Sequence, residues 1–219
     1  MNVDKIKEYT IFVPSSRPIM QKDTQALLNS YGLECVMFNG TGYPSFSKLI
    51  NDCIVQSPTD KIIICNDKSR PTLANFDKMV NLLEEGYGFV GLYAFGFFGF
   101  DKSLINTVGF FDERFINGGY EDCDFLRRLN FHNIATYLNY EISYIESGSS
   151  WTGIGAKRFF DKKYIDATKD DLTCVKKLPE ENYNYNLNFE DNKQFKPWKD
   201  SQLFTSDWFK DVKVIEQWI

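Results

Sequence analysis

The run Lys61–Cys65 (KIIIC) shows no polar alternation. Strands of that kind are covered on both faces, the environment of a parallel sheet packed between helices. Two further short runs precede it. Tyr9–Val13 (YTIFV) is ended by Pro14-Ser15-Ser16-Arg17-Pro18, and Cys35–Phe38 (CVMF) by Asn39-Gly40-Thr41-Gly42. Between them, Met20–Tyr31 has helical spacing in Met20, Ala26, Leu27 and Tyr31. Ser45–Val55 has it in Phe46, Leu49, Ile50, Cys53 and Ile54, with Ser45 as N-cap. Strand, helix, strand, helix, strand predicts an α/β fold with a Rossmann-like, mostly parallel sheet. Ligands of such sheets bind beyond the carboxyl ends of the strands. Those ends are Pro14-Ser15-Ser16-Arg17, Asn39-Gly40 and Asn66-Asp67-Lys68, all polar and short. No GxxxxGK[ST] occurs, which argues against a phosphate loop of that type.

Phe76–Glu85 predicts a third helix, carrying Met79, Val80, Leu82 and Leu83. Phe89–Phe100 (FVGLYAFGFFGF) predicts one buried strand whose glycines admit a ligand or another backbone. Phe95, Phe97, Phe98 and Phe100 belong mostly to the core, although a wall for a sugar ring stays open as a second use. Leu104–Val108 predicts a short helix ended by Gly109, Phe125–Phe131 a further helix, and Ile134–Tyr144 one or two strands. The expected organisation is one domain over 1–160, with halves of about 1–70 and 71–160. An extension over 161–219 follows, in which Lys176–Asp200 reads as an arm. The stripe Trp208, Phe209, Val212 and Ile215 reads as a helix docking on the core or a partner.

Composition narrows the function. The chain has 219 residues and a net charge of −5, with no basic block, which argues against a broad nucleic-acid contact. A small phosphorylated ligand needs only a few local cations and stays open. The five cysteines, Cys35, Cys53, Cys65, Cys123 and Cys174, show no CxxC spacing and read as reduced thiols. His132 is the single histidine, so a multi-histidine zinc site is excluded. It lies in the turn Asn130–Asn133 and is expected to be exposed. Tyr9–Val13 is too short for a signal peptide or a membrane span, so a cytoplasmic location is expected. The oligomeric state is left open.

The chemistry concentrates in Val108–Leu129 (VGFFDERFINGGYEDCDFLRRL). Asp112, Glu113, Glu121, Asp122 and Asp124 flank Gly118-Gly119 between two apolar runs. Glycines followed by Glu121-Asp122 and a resumed apolar pattern predict a turn feeding a helix, with carboxylates at its positive end.

With these motifs in order, the chain resembles a GT-A nucleotide-sugar glycosyltransferase, closest to the inverting family 2, from about Thr10 to Ser150. Ser45–Asn51 (SFSKLIN) resembles the family's small-residue helix. Ile62–Asp67 (IIICND) resembles the strand ending in its acidic metal motif. Gly109–Phe115 (GFFDERF) resembles its G-x-FDE-x-F segment, and Gly119–Phe125 (GYEDCDF) its GxEDxDF segment, followed by Arg127-Arg128-Leu129. The resemblance implies sugar transfer from a nucleoside-diphosphate sugar, a UDP-sugar being favoured, to a glycan or other hydroxyl acceptor. It implies Asp122 as base, Glu121 as its orienter, and Gly119, Tyr120 and Glu121 at the acceptor. Donor contacts are expected from Pro14, Ser15, Ser16, Arg17, Asn39, Lys48, Asn51, Asn66 and Asp67. Asp124, Asp112 and Glu113 are expected to hold structure. Mn²⁺ or Mg²⁺ is expected on Asp67, with Glu146 as second ligand. The motif Cys65-Asn66-Asp67-Lys68 departs from the pattern in offering a single acid, and Lys68 or Arg70 is the alternative source of positive charge. Trp151 and Arg158 are candidates for a lid. A non-catalytic nucleotide-sugar-binding module is the alternative function. A nucleotidyltransferase ranks below it, because the loop after the first strand is not glycine-rich.

Overall fold

The computed structural model describes residues 3–43, 45–113, 115, 120–139 and 142–144. The expected extension over 161–219, Cys174, and the loop carrying Trp151 and Arg158 lie outside them. In chain order the elements are α1 (Val3–Ile6), β1 (Thr10–Ser15), α2 (Pro18–Ser30), β2 (Val36–Asn39), α3 (Phe46–Gln56), β3 (Lys61–Cys65) and β4 (Ser69–Arg70). They continue as α4 (Leu73–Glu84), β5 (Phe89–Phe95), β6 (Phe97–Asp101), α5 (Leu104–Val108), α6 (Glu121–Phe131), β7 (Thr136–Leu138) and β8 (Ser143–Tyr144). Among the described residues, six strands form one sheet in the order β2-β1-β3-β6-β5-β7, and β4 pairs with β8. β1 pairs parallel with β2 and β3, and β5 pairs parallel with β7. β6 runs antiparallel to both β3 and β5. The sheet is therefore mixed and mostly parallel, with helices on both faces.

The two faces follow from period-2 alternation. Phe12, Ile62, Ile64, Phe98 and Phe100 face one way, onto Ile50, Cys53 and Ile54 of α3, Leu104 and Ile105 of α5, and Phe125 and Leu129 of α6. Ile11, Val13, Ile63, Cys65, Val90 and Phe97 face the other way, onto Leu28 of α2 and Phe76, Met79 and Val80 of α4. Burying one such side chain is worth about 1.5–3 kcal/mol, so these two layers dominate the fold's stability. Ser45 caps α3 by accepting from the Lys48 N–H at 3.1 Å. A reciprocal Thr72–Asn75 capping box opens α4. Gly109, at φ 77°, ends α5 where a side chain would be strained.

Three expectations are corrected. Phe89–Phe100 is two antiparallel strands, not one. The chain turns over through Tyr93–Gly96, closed by Gly96 N–H donating to the Tyr93 carbonyl at 2.7 Å. No Asn-Gly, Asp-Gly or proline marks that turn, so the apolar pattern hides it. Its glycines serve the chain's own packing: a Cβ on Gly91 would stand 2.3 Å from the Ala94 carbonyl oxygen, and one on Gly99 2.8 Å from Met79 Sδ. Phe95, Phe97, Phe98 and Phe100 are all buried, so none forms an open sugar wall. His132 is the C-cap of α6 and is half-buried rather than exposed.

Candidate active site at the carboxyl edge of the sheet

β1 extends to Ser15, beyond its ladder with β3, which ends at the pair Phe12–Ile64. Pro14 therefore sits where its missing N–H interrupts nothing in that ladder. Two residues past β3 lies Asp67, only 2% exposed. The Ser15 hydroxyl donates to its Oδ2 at 2.5 Å, and the Arg17 guanidinium donates to its Oδ1. Ser15 Oγ also accepts from the Arg17 N–H at 2.8 Å, so one hydroxyl fixes both members of the ion pair.

The main chain of Asp67 is held as firmly. Its carbonyl accepts from Arg70 Nη1 at 2.8 Å and from the Thr24 hydroxyl at 3.0 Å. Asn66 N–H donates to the Gly96 carbonyl at 2.8 Å, and its Oδ1 accepts from the Lys68 N–H at 2.9 Å. The corner thus gathers three cations, Arg17, Lys68 and Arg70, about one carboxylate. Burial first, then the Arg17 charge, holds the Lys68 ammonium below the ordinary lysine value, against the opposing pull of Asp67.

The neighbouring strand end is closed by Gly40, whose N–H donates to the Ser15 carbonyl at 2.8 Å. A Cβ there would meet Leu49 Cδ2 at 2.8 Å and the Ser15 carbonyl carbon at 3.2 Å, so glycine permits this approach. Asn39 is exposed and its Oδ1 accepts from the Thr41 N–H at 2.9 Å, shaping the turn. Ser16 is exposed beside it. Gln21, 7% exposed, bridges β1 and β2 by donating to the carbonyls of Val13 and Phe38. Sequence reasoning missed Gln21 and Thr24. Their signal was phase: with Leu28 they are the buried residues of α2, two polar positions on its inward face.

Lys48 and Asn51, expected at the nucleotide, are engaged elsewhere. Lys48 pairs with Asp52, which also accepts from the Tyr43 hydroxyl at 2.9 Å. Burial, then Asp52, pushes the Tyr43 hydroxyl up to about 12. Asn51 is fully buried, donating to the Phe111 carbonyl at 2.8 Å and accepting from the Phe111 N–H at 3.0 Å. It also donates to Glu113 Oε1 at 3.3 Å, so it clamps the acidic segment to α3.

The acidic helix reaches the same edge. β7 runs parallel to β5 and begins opposite Phe89. α6 ends just before β7, so its C-terminus lies at the strand-start edge. Eleven residues rise about 16 Å, which carries Glu121 and Asp122 back to the carboxyl edge. Side-chain packing holds α6 against β5: Phe125, one turn into α6, stacks on Phe111 at 4.1 Å and meets Phe89 at 5.8 Å and Phe95 at 6.2 Å, the first and last residues of that strand. Phe95 precedes Gly96, the residue that holds Asn66. Tyr120, just before α6, is left-handed at φ 64°. Glu121 is 8% exposed, while Asp122 is half-buried and accepts from the Cys123 N–H at 2.8 Å. Asp124 pairs with Arg128, both fully buried, and Arg128 donates onward to the Val108 carbonyl. This buried pair ties α6 to the end of α5.

Gly119 and Glu146 lie outside the described residues. So the second metal ligand expected from the sequence has no counterpart among them. Both oxygens of Asp67 already serve Ser15 and Arg17, and no group of three His, Cys, Asp or Glu residues gathers among the described residues. The donor set described here does not fit a divalent cation. Among the described residues no helix is long and apolar enough to cross a membrane.

No family model and no curated protein matches this sequence. Solved structures do resemble it. One is the catalytic domain of Drosophila beta1,4-galactosyltransferase 7 in complex with xylobiose, at TM-score 0.47 and 16% identity over 64% of this chain and 71% of that one. Another is a mannosyltransferase from Pyrobaculum calidifontis in complex with GDP-Man and Mn²⁺, at TM-score 0.46 and 11% identity over 91% of this chain and 70% of that one.

Proposed function

We propose that this chain is a GT-A glycosyltransferase that moves a sugar from a nucleoside-diphosphate sugar to an acceptor hydroxyl with inversion. One observation carries the reading. The acidic start of α6 and the Ser15–Arg17–Asp67 corner share the carboxyl edge of one sheet. That juxtaposition sets carboxylates on one side and a polar, cation-rich corner on the other. In the step, Asp122 accepts the proton of the acceptor hydroxyl. The hydroxyl oxygen attacks the anomeric carbon, and the bond from that carbon to the diphosphate oxygen breaks. The nucleoside diphosphate leaves with the electron pair. Pro14, Ser15, Ser16, Arg17, Asn39 and Asn66 are assigned to the donor, and Gly119, Tyr120 and Glu121 to the acceptor. A UDP-sugar is the favoured donor.

Asp122→Asn tests the reading directly. Losing a general base costs about 10²–10⁴ in rate. Asparagine still accepts from the Cys123 N–H, so the melting temperature stays unchanged. Full turnover by that variant would remove Asp122 from the chemistry. The second reading, a binding module without turnover, is favoured by the engagement of both Asp67 oxygens. A thermal-shift panel of UDP, GDP, TDP and CMP sugars, run beside an assay for nucleotide release, separates the two. Binding raises the melting point by mass action in both cases, and release occurs only in the first.

A further inference from the structure

We infer that the outer edge of β2 takes a further strand from this chain's own extension, the segment Tyr183–Phe189, whose apolar side chains fill the groove between β2 and α3. The inference is independent of sugar transfer and stands or falls without it.

Among the described residues β2 ends the sheet on one side. The Gly40 N–H donates to the Ser15 carbonyl. By the two-residue period of a strand, the amides of Val36 and Phe38 point toward β1 as well, and those of Met37 and Asn39 point away from the sheet. The main-chain groups of Met37 and Asn39 take no hydrogen bond on that outer side among the described residues. Such an edge is ordinarily blunted by charge, by proline or by a covering element. Val36-Met37-Phe38-Asn39 has neither charge nor proline, and Val36 is 41% exposed. The opposite edge strand, β7, is guarded by a cation: Lys78 donates to the Tyr137 hydroxyl at 3.0 Å and lies over its ring at 5.1 Å.

A groove of about 390 Å³ runs beside the free edge, lined in part by Phe12, Val36, Phe38, Tyr43, Gln56 and Pro58. Phe38 meets Phe12 and Tyr43 edge-on, each at 6.1 Å. Val36 stands opposite Phe12 in the ladder, so it shares the α3 side of the sheet with Phe38. The cavity on the other side of this edge is more polar at its rim, where Lys7 and Glu34 line it.

The chain itself holds a segment that matches both sides. In Tyr183-Asn184-Tyr185-Asn186-Leu187-Asn188-Phe189 apolar and asparagine side chains alternate strictly, the pattern of a half-buried strand. It has no charge and no proline, and its seven residues exceed the four of β2. At about 3.3 Å per residue, residues 145–182 are long enough to bring it to any point of the domain. Laid along β2, it turns Tyr185 and Leu187 into the groove and its asparagines to the polar side. Its main chain supplies the partners that Met37 and Asn39 lack. Its tyrosines extend the edge-to-face array of Phe12, Phe38 and Tyr43.

Amide hydrogen exchange of the full chain, read residue by residue by NMR, tests this. The Met37 amide and alternate amides of 183–189 should exchange at least about a hundredfold more slowly than in an unstructured peptide. The effect should be reciprocal. Val36→Lys, at an exposed position, should release 183–189. Tyr185→Ser combined with Leu187→Ser should release Met37. The amides of Val36 and Phe38 should stay slow in both variants, which shows that the sheet is intact. Asn184→Ser combined with Asn186→Ser should change neither segment. Fast exchange of Met37 in the unaltered chain would overturn the inference, and so would slow exchange there that survives the Tyr185 and Leu187 substitutions. Light scattering on the same samples identifies the source of the strand. Protection at the 25.5 kDa of one chain supports the inference. Protection found only in a dimer would give the edge to a second copy and overturn it.

Discussion

Two aspartate–arginine pairs of the same chemistry do opposite work in this molecule. Asp124–Arg128 is sealed at zero exposure on both sides, and the arginine's remaining donors go to the carbonyls of Val108 and Gly109. Asp67–Arg17 is sealed on the acid side only. The first pair has no route to solvent, so it fixes where α6 begins. The second leaves its arginine 36% exposed at the carboxyl edge of the sheet. Burial of the arginine, not the pairing itself, separates the two pairs.

The contrast breaks most visibly at Asp124. Removing one partner of a buried pair leaves an uncompensated charge and costs about 3–5 kcal/mol. Asp124→Asn should therefore lower stability by that amount in urea unfolding. A loss under about 1 kcal/mol would put the two pairs in one class. Arg17→Gln should cost less, about 1–3 kcal/mol, because its guanidinium is partly exposed, although its loss leaves the buried Asp67 carboxylate without that cation. The variant should stay folded, and its affinity for the donor nucleotide should fall. Unfolding of that variant would make Arg17 a strut as well.

The smallest effect is expected at Lys68, and its sign is informative. Burial and the Arg17 charge depress its pKa, so the protonated form is disfavoured in the folded chain. That penalty is present at pH values below the depressed pKa and fades as pH climbs toward the ordinary 10.5. At neutral pH Lys68→Gln should leave stability unchanged or slightly raised, and any gain should shrink in alkaline buffer. A clear loss of stability at neutral pH would mean that the ammonium holds the fold together.

The sheet was legible where burial dictates composition. Ile62, Ile63 and Ile64 admit little besides a strand covered on both faces, and Ser45 marks the start of α3 by its hydroxyl alone. The hairpin through Tyr93–Gly96 was hidden because packing, not a turn residue, shapes it. At the candidate site, the three strand ends were singled out because ligands of such sheets bind beyond them. Their partners were not. Arg17 and Asp67 lie 50 positions apart, and nothing local says that the acid will face an arginine instead of a metal. The partner of Asn51 was hidden for a related reason. Its helix was recognisable, but its rotation toward Phe111 is set by tertiary packing.

Tyr120 holds a left-handed backbone at φ 64°, a conformation that costs a side-chain-bearing residue about 1–2 kcal/mol over glycine. A library of position 120 sorted only for resistance to heat should drift to glycine. One sorted for sugar transfer should keep the aromatic ring. The gap between those two outcomes would measure how much durability the protein forgoes at the mouth of its acidic helix.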